Sequence, residues 1–305
     1  MKPHLIFCII IFAVLTGDAA SGESTAAFLR LGVGAKPASM GEAYAGVPGG
    51  ILSLYSNPAG LTPLSDYMLS FSHNLWIAGM HHSSIIAGLP AFGGYAAIGI
   101  NGLFVGAIDR YDRYGSPAAG SFSSTDISYT LAYSKEVADD ASAGAALKYV
   151  TCEIDGYYAG TVAADIGFMG SVGPLNTGIA IQNIGRGMRF RIKREPLPLV
   201  IRSGASYSLF LGRMDLLISA EASHKANAPF RLSMGASLDD YGYYVIHDLI
   251  FSLRLGVKSY SRDTGKFALL SGGAGITHRN TTLDYAFVSL KGLGLTHRVS
   301  LGSVF

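Results

Sequence analysis

From Tyr67 to the final Phe305 the sequence alternates, stretch after stretch, between bulky apolar residues and small or polar ones. Ile127, Tyr129, Leu131 and Tyr133 interleave with Asp126, Ser128, Thr130 and Ala132. Phe230, Leu232, Met234, Ala236 and Leu238 interleave with Arg231, Ser233, Gly235, Ser237 and Asp239. A β-strand sends successive side chains to opposite faces, so each stretch has one bulky apolar face and one small, polar face. The pattern predicts fourteen strands, over 67–76, 81–90, 94–105, 125–135, 141–153, 159–171, 175–184, 198–209, 213–223, 229–238, 247–258, 267–279, 281–290 and 293–305. Most are about 9–13 residues long, which suits a tilted strand crossing the hydrocarbon of a bilayer.

A soluble β-sandwich also alternates, but its strands average about 5–6 residues and its polar face meets water. Here the polar face is mostly Ser, Gly, Ala and Thr. Charged residues make up 14% of the chain, against about 25% in soluble domains. Lipid on one side and a polar interior on the other account for both facts. The expected fold is therefore all-β, a 14-stranded antiparallel transmembrane β-barrel over 67–305 in a bacterial outer membrane. The connections agree. Ala91-Phe92-Gly93, Gly173-Pro174, Leu211-Gly212 and Arg279-Asn280 read as short turns at one end, although the 239–246 link is longer. The longest loops, 106–124 and 185–197, fall at the other end, as expected for the outer side.

One segment is apolar enough to form a hydrophobic helix. Lys2 and His4 precede the run from Leu5 to Leu15, and Gly17, Ala19, Ala20 and Ser21 follow it. This reads as a signal peptide over 1–21. A retained anchor is the alternative, but a run of about 11 residues is short of the about 20 that a helical span needs. Beyond it Cys152 is the single cysteine, so neither a disulfide nor a thiolate metal framework is expected.

Strand parity puts a set of charged residues on the small, polar face: Lys148, Asp165, Arg202, Glu221, Arg231, Arg254, Lys258, Asp284 and Arg298. Facing lipid at the midplane, an Arg or Lys would cost about 2–4 kcal/mol. These residues are expected to line the lumen, and their mixed signs favour a network of ion pairs over ion selectivity. Arg186, Arg189, Arg191, Lys193 and Arg194 make loop 185–197 basic. It is either a solvated loop or one that meets lipopolysaccharide phosphates or an anionic partner. Loop 106–124 carries Asp109, Arg110, Tyr111, Asp112, Arg113 and Tyr114. It is expected to touch a partner or fold over the pore.

Catalytic signatures are missing: no nucleophile elbow, metal-binding helix, phosphate loop or dinucleotide fingerprint is present. His81 and His82 would point to opposite faces of a strand, so they do not suggest a shared metal. No enzyme activity, cofactor or metal is expected, and a net charge of +2 makes no case for nucleic acid.

Residues 22–66 lack alternation. They contain Phe28-Leu29-Arg30-Leu31-Gly32-Val33-Gly34-Ala35-Lys36-Pro37-Ala38-Ser39-Met40-Gly41-Glu42-Ala43-Tyr44, then Leu54-Tyr55-Ser56-Asn57-Pro58-Ala59-Gly60-Leu61. Pro58 pushes Asn57 out of the helical region, and an Asn side chain readily bonds nearby backbone. With Asp165-Ile166-Gly167, Asn183-Ile184-Gly185, Pro196-Leu197-Pro198-Leu199 and Leu283-Asp284-Tyr285-Ala286, these segments resemble the PorV/PorQ group of outer-membrane proteins within the FadL-like superfamily. The chain departs from that pattern at Ser39-Met40-Gly41-Glu42. It also has Val47-Pro48-Gly49-Gly50 in place of an acidic pair.

The resemblance implies a 14-stranded barrel with residues 22–66 as an N-terminal plug, in which Met40, Gly41, Asn57, Pro58, Ala59 and Gly60 are the key positions. A simple turn before the first strand is the other reading of Asn57-Pro58-Ala59. The resemblance implies protein export or surface attachment, as in type IX secretion, with secretion-system proteins or exported cargo as partners. Passive transport of hydrophobic small molecules is the alternative. The terminal strand ending in Phe305 resembles the signal read by the barrel-assembly machinery. Outer-membrane lipid and lipopolysaccharide are the remaining expected partners.

Overall fold

A computed structural model describes residues 24–190, 193–225, 230–242, 248–259, 268–290 and 292–305. The expected signal peptide, 1–21, lies outside them, as does Arg191. In chain order the strands are β1 (Met68–Leu75), β2 (His81–Ala91), β3 (Gly94–Tyr111), β4 (Pro117–Ala138), β5 (Ala141–Ile154), β6 (Tyr157–Val172), β7 (Leu175–Gly185), β8 (Met188–Phe190), β9 (Lys193–Glu195), β10 (Val200–Leu211), β11 (Met214–Lys225), β12 (Arg231–Asp240), β13 (Leu249–Ser259), β14 (Ala268–His278), β15 (Thr281–Leu290) and β16 (Gly294–Val304). Strands β8 and β9 form a separate hairpin. The other fourteen close into an antiparallel barrel in which β10 follows β7 and β16 returns to β1.

The alternation sets which way each side chain points. On β13, Leu253 and Leu255 are 65% and 71% exposed, while Arg254 between them is 4% exposed. Bulky residues such as Phe71, Ile98, Leu131, Leu147, Phe168 and Leu301 cover the outside. This is the apolar belt that lipid requires, and closure leaves no unpaired sheet edge within it. Met68 to Leu75 pair with Val304 to His297 at the seam. The Phe305 N–H continues the seam by donating to the Tyr67 carbonyl at 2.9 Å. Its side chain is exposed at the same rim.

Two expected loops are corrected. Within 106–124 most residues are strand, because β3 runs to Tyr111 and β4 starts at Pro117. The ladder continues through Asp109↔Ser121 and Tyr111↔Pro117, with register shifts on the way. Only 112–116 turn, and Asp112 Oδ1 accepts the N–H groups of Tyr114 (2.8 Å) and Ser116 (2.9 Å). Above the membrane both faces meet water, so pairing persists without hydrophobic alternation to mark it. Within 185–197 lies the β8–β9 hairpin, too short for periodicity to reveal.

Candidate functional site

The lumen is occupied by residues 24–66. Rich in Ala, Gly and Pro, this segment forms short helical turns at Ala27–Arg30, Ala35–Ser39, Ile51–Tyr55 and Pro58–Leu61. Its backbone rests directly on inward-facing glycines of the wall. Met40 and Gly41 sit on Gly235 and Gly256, Ala45 and Gly46 on Gly178 and Gly204, and Asn57 and Pro58 on Gly167 and Gly144. A β-carbon at Gly144, Gly167, Gly178, Gly235 or Gly256 would collide with that backbone or with the Asn57 side chain, and at Gly204 it would lie 3.0 Å from the Gly46 nitrogen. Parity could have found the seats. Gly167 lies two residues after Asp165, Gly204 two after Arg202, and Gly256 two before Lys258, all on the same face.

Asn57 holds the lower part of the segment. It caps the Pro58–Leu61 turn in an extended conformation, φ −154°. Its Oδ1 accepts the Ala59 N–H at 3.1 Å, and its Nδ2 donates to the carbonyls of Ala45 (2.8 Å) and Phe168 (3.1 Å). Ser142 of β5 donates to the Ala59 carbonyl at 3.2 Å, and Gly60 accepts the Gly49 N–H at 2.9 Å. Asn57→Ala removes three fully or partly buried hydrogen bonds at about 1 kcal/mol each. Stability is expected to fall by about 2–3 kcal/mol, read from the denaturant midpoint in detergent, with strand content unchanged.

A polar chain then crosses five strands. Glu221 Oε2 of β11 accepts the N–H groups of Tyr44 (3.1 Å) and Ala45 (2.9 Å), and its Oε1 pairs with Arg202 of β10 at 2.7 Å. Arg202 Nε donates to Gln182 Oε1 of β7 at 2.8 Å, and Gln182 Nε2 donates to the Tyr55 carbonyl at 3.0 Å. Gln182 also reaches Asp165 of β6, which pairs with Lys148 of β5 at 2.6 Å. A register shift between Ala164 and Ile166 turns the Asn183 N–H toward the Asp165 carboxylate, which accepts it at 2.8 Å. Lys148 donates to Asn183 Oδ1 at 2.9 Å. Buried charges are tolerable when paired and hydrogen-bonded in this way.

The opposite sector is laced similarly. Arg254 pairs with Asp284 at 2.6 Å, and Arg298 donates to the Gly32 carbonyl at 2.6 Å. Ser300 accepts the Ala35 N–H at 2.8 Å, and Ser271 accepts that of Gly41 at 3.1 Å. Lys258 pairs with Glu42 of the segment at 2.5 Å, a partner that parity alone did not suggest. Glu42 has φ +62° directly after Gly41 at +65°. This left-handed conformation costs a non-glycine residue about 1–2 kcal/mol, and the ion pair offsets it. Met40 is fully buried against Tyr44 and Val47. Arg231 is half-buried and forms no ion pair among the described residues.

The two ends of the lumen differ. Toward the outer mouth, Phe28 packs with Val150, Cys152, Ala159, Ala163, Met188 and Leu197. Met188 brings the β8–β9 hairpin down onto this cluster, while Arg186, Arg189 and Arg194 stay exposed. Toward the periplasm, a cavity of ≈ 230 Å³ opens below the segment, lined in part by Lys36, Tyr44, Asp239, Arg254, Asp284 and Ser300.

A closed fourteen-strand barrel with an apolar outer face and charged side chains turned into a filled lumen is a protein of the bacterial outer membrane. Solved structures of outer-membrane transporters and channels share this fold. The toluene transporter TbuX of Ralstonia pickettii matches with 13% identity and a TM-score of 0.62, over 90% of this chain and 98% of that one. The monoaromatic hydrocarbon channel CymD matches with 12% identity and a TM-score of 0.63, over 93% and 99%. The toluene transporter TodX of P. putida matches with 10% identity and a TM-score of 0.62, over 90% and 99%. No protein-family model and no curated protein sequence matches the chain.

Proposed function

We propose that the protein is a passive conduit for hydrophobic small molecules across the outer membrane, with residues 24–66 as its plug. The apolar cluster at the outer mouth carries this reading. Phe28, Val150, Met188 and Leu197 gather there at the outward-facing end, apart from the apolar cluster that Ile51, Leu54 and Leu61 of the segment form with Ile86 and Tyr95 of the wall. Cargo would leave water among these side chains. Directly below, the hydrogen-bonded network around Asp165, Arg202 and Glu221 seals the axial route. A sideways route past the plug fits this arrangement, and the register shift between Ala164 and Ile166 in the β6–β7 ladder is its natural point. The structural neighbours, named as hydrocarbon transporters and channels, support the same reading. Protein export, the role implied by the PorV/PorQ resemblance, draws no support from them, so the hydrophobic-transport alternative is the better reading.

Expressed in a bacterial host stripped of its own hydrophobe transporters, the protein is expected to speed toluene uptake over an empty vector and leave sugar uptake unchanged. Phe28→Asp or Met188→Glu should slow toluene uptake about tenfold, the factor set by losing about 1.4 kcal/mol of apolar contact. A folded, membrane-inserted barrel with uptake equal to the empty vector would sink the proposal. Co-purification of exported proteins with such an inert barrel would favour export.

A further inference from the structure

Asp126 of β4 is an inward carboxylate set among apolar side chains. It shares the face of Ser128 and Thr130 and is half-buried. In the ladder it stands between Leu103 of β3 and Cys152 of β5. Both belong with the apolar cluster around Phe28, Val150 and Met188. The next inward polar group on that side, His82, is beyond Leu103. The Cys152 thiol lies against the carboxylate. Asp126 forms no ion pair among the described residues. The cations of the two neighbouring strands are taken: Lys148 of β5 pairs with Asp165, and Arg110 of β3 pairs with Asp155. Lys135, on β4 itself, is exposed near the other end of the strand.

A carboxylate in such a place loses hydration that the wall does not replace. Cargo gathered by the cluster would replace it with a hydrogen-bond donor of its own. An ammonium or a hydroxyl can donate. The β8–β9 hairpin decides between them, because it is packed on the same cluster through Met188 and carries the exposed Arg189 and Arg194. Positive charge at a mouth disfavours the entry of a cation, so the uncharged donor fits better.

We propose, on the reading of the lumen as a hydrophobe conduit, that Asp126 is the polar end of the outer-mouth site and selects uncharged apolar molecules that carry a hydroxyl, such as an alkylphenol. The apolar body rests on the partly buried side chains of the cluster, Leu103 first among them, and the hydroxyl donates to the carboxylate. The Asp165–Arg202–Glu221 network has no such vacancy for a donor, since its carboxylates are paired.

Competition for toluene uptake in the stripped host tests this. p-Cresol has a hydroxyl where p-xylene has a methyl. In a wholly apolar site the hydroxyl would be desolvated without a partner, and p-xylene would be the stronger competitor. With Asp126 present, p-cresol is expected to half-inhibit toluene uptake at about tenfold lower concentration than p-xylene, the scale of a hydrogen bond to a charged group. In Asp126→Leu, with the heat-modifiable gel mobility of a folded barrel kept, p-xylene should become the stronger competitor. Asp126→Asn, which keeps an acceptor oxygen, should retain a smaller preference for p-cresol. Equal inhibition by the two compounds in the parent, or an undiminished preference for p-cresol in folded Asp126→Leu, would overturn the role of Asp126 and leave toluene conduction standing. Stronger inhibition by benzylamine than by p-cresol would overturn the choice of an uncharged donor. Toluene uptake no faster than the empty vector would overturn the conduit reading and the Asp126 site with it.

Discussion

A Gly178→Val chain is expected to keep its barrel and lose its seated N-terminal segment. A β-carbon at 178 would land on the Ala45 carbonyl and lie 2.7 Å from Asn57 Nδ2. Neither group can yield freely. The Ala45 N–H is held by Glu221, its carbonyl by Asn57, and Asn57 also holds Phe168. Overpacking of this kind costs about 1–3 kcal/mol, and each hydrogen bond broken in relieving it costs about 1 kcal/mol more. A total of about 4 kcal/mol would fall on the segment, because the wall strands keep their ladders. Limited proteolysis should then cut within 24–66, while the heat-modifiable gel mobility stays as in the parent. A segment as resistant as the parent's would show that the glycine seats are not required.

Removing the Glu221 carboxylate is the second large effect. The Arg202–Glu221 pair has side-chain exposures of 7% and 1%. Glu221→Ala leaves a buried guanidinium without its counter-charge, at about 3–5 kcal/mol. It also leaves the Tyr44 and Ala45 N–H groups without their acceptor. The denaturant midpoint in detergent should fall accordingly. The double variant Arg202→Leu/Glu221→Leu should recover most of the loss, since a buried ion pair replaced whole by apolar residues is often neutral. The N–H groups of the segment would still lack a partner, so recovery should stop short of the parent. If the single variant matched the parent, the pair would be contributing nothing to holding the segment.

Legibility followed the environment. Lipid on one side and a lumen on the other impose the two-residue period on β12 and β13, so those strands could be read from their residues. Above the membrane, β3 and β4 have water on both faces, and their extensions to Tyr111 and from Pro117 left no periodic trace. Parity assigns Arg254 and Asp284 each to a face, but their pairing depends on the register of β13, β14 and β15, which periodicity does not encode. Glu42 stayed hidden as the partner of Lys258 because it lies on a segment without a period. The glycine seats carry no signal of their own, because a glycine on a strand reads as one more small residue of the polar face. Their shared parity with the charged residues was the available clue.

The segment made first must come to rest last. Ala35 is held by Ser300, 265 residues away, and Arg298 grips Gly32 across 266. Neither grip exists until β16 has formed, beside the very seam where the ring shuts. The N-terminal segment therefore completes its contacts only when the strand that shuts the ring is in place.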